Sequence, residues 1–274
     1  MVKRHLIPGA LSVIQCIVLL LLLFSPAELM VGQTSPRIIH VFVALCDNAH
    51  QGIIPVPAKL GNGDDPENNL YWGARYGVKA FFKNSNEWGL VSTRRNLDTV
   101  ILERCIFKHR LSNVYLVADA YRGIEIKKTV IDFLESAAGN HQDTLSFETG
   151  THNTSIPIGG SANLVTYVGH DGLMDFQLDA HPKKKIGSTN HRDAIILACV
   201  SKSYFSEAIR ASGVHPLLWT TGLMAPEAYT LEAAVDGWIL NETGNQIRTR
   251  AAQAYHQYQK CSLDAAKRLF VTGW

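Results

Sequence analysis

Two stretches decide the fold: Leu164-Val165-Thr166-Tyr167-Val168-Gly169-His170-Asp171-Gly172 and Ala194-Ile195-Ile196-Leu197-Ala198-Cys199. Each begins as a short, continuous apolar run, the pattern of a strand covered on both faces. The first then breaks into a histidine framed by glycines, and the second runs straight into a cysteine. A thiol and an imidazole at the tips of neighbouring strands are the nucleophile and base of covalent hydrolysis. The same residues also have a purely structural reading, with Cys199 as core strand and His170 as a loop residue.

The rest of the chain repeats the pattern. Ile38 to Leu45 is a continuous apolar run ending in Cys46-Asp47-Asn48, and Val114 to Ala118 is another ending in Asp119. Thr99 to Phe107 and Pro216 to Thr220 read as further strands. Helices are expected from Asn68 or Asn69 onward, with Leu70, Ala74, Val78 and Phe81 on one face. Others are expected over Glu125–Ala137, from Ser203 to Ala211, over Pro226–Leu240, and in one or two pieces between Gln246 and Leu269. Residues 140–162 read as polar and irregular, and the Gly-, Pro- and Asp-rich residues after Asn48 as a long functional loop. Strands alternating with helices predict an α/β three-layer sandwich with a mostly parallel central sheet.

In open α/β sheets, ligands bind beyond the carboxyl ends of the strands. Here those ends read Cys46-Asp47-Asn48, Asp119 to Arg122, Gly169 to Gly172, Cys199 to Ser203 and Thr220 to Gly222. Cys199 sits just before an expected helix, whose N-terminal dipole would favour a thiolate. Backbone N–H groups around Cys199, and at Gly169 and Gly172, are candidate oxyanion donors. Cys46 lies on the same rim, as a rival thiol or as a disulfide partner for Cys199.

An apolar strand ending in His near Gly, followed by one ending in Ala-Cys, resembles the caspase and legumain superfamily of cysteine peptidases. Ala198-Cys199-Val200-Ser201-Lys202-Ser203 is most similar to the nucleophile block of the legumain-like branch. The resemblance implies a caspase-like fold and cleavage of peptide or protein substrates through a thioester, with Cys199 as nucleophile and His170 as base. It implies no metal or organic cofactor. It also makes Asp47 and Asn48 candidates for the substrate pocket, where an acidic wall would favour basic side chains. Asp171 is a departure, because the family's histidine is followed directly by glycine.

Two other readings compete. His170 and Asp171, with His181 and His191 nearby in sequence, could serve a metal-dependent hydrolase. The chain could instead be a non-catalytic binding or scaffold member of the same fold. A serine hydrolase is disfavoured, since Gly159-Gly160-Ser161 does not form the nucleophile-elbow pattern.

With 26 Lys and Arg against 24 Asp and Glu, the net charge is only +2. The one compact basic run is Lys183-Lys184-Lys185, so a nucleic-acid partner is not expected. At the N-terminus, Lys3-Arg4-His5 precedes an apolar run from Leu11 to Phe24 and the small-residue exit Ser25-Pro26-Ala27. These are the parts of a secretory signal peptide. The run is short of the roughly 20 residues a spanning helix needs. Residues 1–32 are therefore expected to be a cleaved signal, leaving a secreted or periplasmic domain over 33–274 with no stable membrane anchor.

Overall fold

The computed structural model describes residues 1–2, 35–149, 152–187 and 191–274. The signal-peptide reading falls almost wholly on 3–34, outside the described residues. Alternation of apolar side chains shapes the centre of the fold. In β1 (Arg37–Ala44), Ile39, Val41 and Val43 face one core, while Ile38, Phe42 and Ala44 face the other. Burial on both sides is why the strand reads as unbroken apolar sequence, and each such side chain contributes about 1.5–3 kcal/mol.

The sheet has eight strands in the order β10-β9-β8-β7-β1-β4-β3-β2. Five of them are parallel: β9 (His215–Thr220), β8 (Asp193–Leu197), β7 (Leu164–Val168), β1 and β4 (Val114–Tyr121). β3 (Ile101–His109) and β2 (Trp88–Arg95) extend one edge antiparallel, and the short β10 (Phe270–Val271) closes the other. The expected α/β architecture with a mostly parallel sheet is present, and residues 35–274 form one compact unit.

Helices cover both faces. On one lie α1 (Val78–Lys83), α4 (Ala228–Ile239), α5 (Gly244–Gln259) and α6 (Leu263–Leu269). On the other lie α2 (Ile126–Ala137) and α3 (Ser201–Ser212). Phe133 of α2 meets Phe42 edge-on at 6.1 Å and lies 5.8 Å from Tyr167, tying the helix to β1 and β7.

Several expectations are corrected. Residues 140–162 are not irregular. They form a hairpin, β5 (Gln142–Thr149) and β6 (His152–Gly159), whose Leu145, Phe147, Ile156 and Ile158 alternate into the second core. The Gly159 N–H donates to His40 Nδ1 at 3.1 Å and anchors the hairpin's end to β1. Strand β2 was not foreseen.

The helix expected from Asn68 or Asn69 begins only at Val78. Asn69 instead brackets the end of β1: its Oδ1 accepts from Cys46 N–H at 3.0 Å, and its Nδ2 donates to Cys46 C=O at 2.8 Å. Gly73 lies against the Pro66 and Glu67 carbonyls and Gly77 against the Trp72 backbone, so this segment is a string of turns.

Asp119 is not a rim residue. It lies inside β4, fully buried, accepting from both the Arg104 guanidinium (2.5 and 2.6 Å) and His40 Nε2 (3.0 Å). These partners hold its carboxyl below the usual range against the cost of burial.

Candidate active site

The site follows from counting along two paired strands. Val168 of β7 pairs with Leu197 of β8, and both face the first core. His170 and Cys199 each lie two residues further on, so the two-residue period returns both to that face. The Gly169 N–H still donates to Leu197 C=O at 3.2 Å, carrying the pairing one step past the strand ends. His170 and Cys199 accordingly line one cavity of about 340 Å³.

The cavity opens beside the tip of β1, where the chain order switches from β4 on one side to β7 on the other, as ligand sites in such sheets do. Gly52, Ile53 and Ile54, from the long loop after β1, form one wall. Leu223 to Glu227, between β9 and α4, form the opposite one. Ile54 and Leu223 are largely exposed, so the mouth is apolar.

His170 is buried, and its Nε2 lies 2.7 Å from Asp175 Oδ2. The same oxygen accepts from the Gly52 N–H at 2.9 Å. Asp175 therefore fixes both the imidazole and the cavity wall, in the place of the orienting carboxylate of a catalytic triad. Gly169 has φ +153°, and a Cβ there would sit 3.0 Å from Ala44 C=O, so the turn that presents His170 requires glycine.

Cys199 does not carry the expected activated thiolate. Burial pushes its pKa up, Asp171 adds repulsion, and a hydrogen bond from Met224 only partly offsets them. Its Sγ accepts from Met224 N–H at 3.4 Å and donates to Met224 C=O at 3.5 Å, the behaviour of a neutral thiol. The helix offers little help because its first donors are already used. The Val200 N–H goes to Gly222 C=O and the Ser201 N–H to Thr220 Oγ1. Val200 is itself the N-cap of α3, in a left-handed conformation at φ +50°.

The other expected site residues are placed as follows. The Gly169 N–H is committed to Leu197, so it is not an available oxyanion donor. Gly172 opens a 3₁₀ turn against Phe176 and Ile126, away from the residues that line the cavity. Asp171 caps that turn, its Oδ1 accepting from the Leu173 N–H at 3.0 Å. Its Oδ2 is buried without a partner, and burial raises the carboxyl to about 7.

Asp47 and Asn48 are structural rather than cavity-lining. Asp47 accepts from Ala49 N–H and binds His50 Nδ1 at 2.8 Å, while Asn48 exchanges two hydrogen bonds with the Val56 backbone. Gly61 and Gly63 make room for these two side chains. The pair organises the loop that carries Gly52 to Ile54. The acid that does line the cavity is Glu227, raised by burial and bound by Tyr229 Oη (2.8 Å) and Gln259 Nε2 (3.0 Å).

Cys46 is no rival nucleophile. It is buried, and desolvation lifts its thiol to about 11. Cys46, Cys105, Cys199 and Cys261 are all free, so Cys46 and Cys199 are not joined. Nor, among the described residues, do His170 and Asp171 gather a third metal ligand. Among the described residues, the one such group of three lies elsewhere, at His191, Asp193 and His215.

Sequence reasoning missed Asp175, Met224 and Glu227. Asp175 had a usable signal, an acid five residues after a strand-tip histidine, whereas Met224 acts through its main chain, which no side-chain pattern reports. No family model matches this chain, and no curated protein or solved structure matches it. No described helix is long and apolar enough to cross a membrane.

Proposed function

We propose that this chain is an exported cysteine peptidase-like hydrolase of caspase-like fold. It would cleave peptide bonds with Cys199 as nucleophile and His170 as base. The observation that carries the reading is the delivery of both residues into one apolar-mouthed cavity from the tips of adjacent parallel strands, with Asp175 on the histidine. Export rests on the basic Lys3-Arg4-His5 and the apolar run to Phe24.

With a neutral resting thiol, the proton leaves during attack rather than before it. With Nε2 held by Asp175, Nδ1 is the His170 nitrogen left to exchange protons. It takes the proton as Sγ bonds to the scissile carbonyl carbon, then returns it to the departing amine. Water, deprotonated by the same nitrogen, hydrolyses the thioester and restores the thiol. Ile53, Ile54 and Leu223 suit an apolar substrate side chain, and the acid in the lining is Glu227, held by Tyr229 and Gln259, rather than Asp47, which is occupied in its own loop.

A binding or scaffold role is the second reading, supported by the raised thiol and its closed exchange of hydrogen bonds with Met224. One experiment separates the two: thiol alkylation against pH, alongside hydrolysis of a varied peptide library, for wild type and Cys199→Ala. The peptidase reading expects Cys199 to be the labelled residue, with a rate still climbing through pH 9.0, the ordinary thiol value. It also expects hydrolysis to vanish in Cys199→Ala. Hydrolysis that survives the substitution would sink it, and an unreactive Cys199 with no hydrolysis would leave the scaffold.

A further inference from the structure

The opposite rim of the sheet carries a second cluster, formed by strand geometry alone. Asp193 begins β8 and pairs directly with His215, which begins β9. His191 precedes Asp193 by two residues, the spacing that returns a side chain to the same face of an extended chain. Asp193 Oδ1 lies 3.1 Å from His191 Nε2 and 2.9 Å from His215 Nδ1, and the three donor atoms fall within 4.8 Å of one another.

We propose that His191, Asp193 and His215 form a binding site for a divalent transition-metal ion of the zinc type. Two imidazoles and a carboxylate are a zinc donor set, and three protein ligands leave a fourth position open. With zinc–ligand bonds of about 2.0–2.1 Å, neighbouring donors of a tetrahedral site lie about 3.3 Å apart, close to the two spacings here. The carboxylate is already oriented. Asp193 Oδ2 accepts from Trp238 Nε1 at 2.9 Å, leaving Oδ1 to the imidazoles, the outer support that metal ligands characteristically have.

The fold has little need of these histidines for itself. Both are exposed, and exposed ion pairs contribute little to stability. The open position faces a recess of about 390 Å³ that also receives Arg37, Asn163 and Glu242. Arg37 opposes the ion, since its guanidinium lies 3.7 Å from the Trp238 ring centroid and within Coulombic reach of Asp193. Affinity is accordingly moderate. Cys199 lies past the other end of β8, so this site is separate from the proposed hydrolytic one and does not depend on it.

The test is titration of the chelator-stripped full chain with Co²⁺, followed by displacement with Zn²⁺. One equivalent is expected to bind with the visible bands of a nitrogen–oxygen site and without thiolate charge transfer. His191→Ala and His215→Ala should each weaken binding at least about tenfold, and Trp238→Phe should weaken it by removing the donor that orients Asp193. His191→Ala keeps the proposal falsifiable, because an exposed residue ahead of a strand can be truncated without unfolding the chain, as circular dichroism would verify. Unchanged affinity in His191→Ala, a thiolate band, or no saturable binding would overturn it.

Discussion

Asp175 Oδ2 binds His170 Nε2 at 2.7 Å and Gly52 N–H at 2.9 Å, so one oxygen holds the imidazole and the wall of the cavity together. Orientation of the proposed base is thereby coupled to the shape of the cavity.

Asp175→Asn separates the two roles, because an amide oxygen can still accept from the Gly52 N–H. Asp175→Asn replaces a charged acceptor with a neutral one and weakens support for the imidazolium formed during attack. Hydrolysis by Asp175→Asn should lose at least about tenfold in kcat, with KM changed by less than about twofold. Steady-state kinetics on any peptide the wild type cleaves would check this. A rise in KM at constant kcat would instead make Asp175 only a wall residue.

Asp171 predicts a pH dependence of stability. Its carboxyl titrates near 3.8 when unfolded and about 7 when folded. Across that window the unfolded chain has already released its proton while the folded chain keeps it, so stability falls as pH rises. Below the window nothing is lost, and above it the loss is complete. Asp171→Asn does not titrate, so it should be more stable than wild type by about 2–4 kcal/mol near pH 8, converging below about pH 4. Asp236 is also raised to about 7 but is common to both proteins and cancels in the difference. Denaturant unfolding at several pH values reads the gap, and a constant gap would refute the assignment. The same variant should label faster at Cys199 under alkaline conditions, because a repelling charge is gone.

Gly169→Ala tests the turn. A side chain at φ +153° that also presses on Ala44 C=O should cost about 1–3 kcal/mol of stability. It should also slow hydrolysis, because the turn carries His170. Thermal unfolding together with activity would check both effects, and a variant equal to wild type in each would show that the turn tolerates a Cβ.

The strands that hold the site were readable because burial on both faces leaves apolar residues throughout Ala194 to Ala198, and everywhere between Leu164 and Val168 except the buried Thr166. The hairpin was not read, because Leu145, Phe147, Ile156 and Ile158 alternate with Thr144, Ser146, Glu148, Ser155 and Pro157, and the run His152-Asn153-Thr154 adds to the polar look of the segment. The expected helix at Asn69 failed for a different reason. The asparagine amide found better partners on Cys46, which lies 23 residues earlier. Cys199 and His170 were legible by position, but the state of the thiol was not. It depends on Met224, contributed by a loop beyond the next strand, and on solvent excluded by the whole assembly.

Val168 and Leu197 are the pair from which the placement of both site side chains is counted. The presence of His170 and Cys199 in one cavity is a matter of integer arithmetic: equal numbers of residues from a shared pair, on strands of equal length. Loops around the cavity can change length without disturbing it. Deleting a single residue between Asp193 and Leu197 would instead turn Cys199 to the far side of the sheet, since a slip of one inverts every side chain that follows. The shared face of the two side chains is thus guarded by parity, and sequence change near them is tolerated in the walls but only in even steps along the strands.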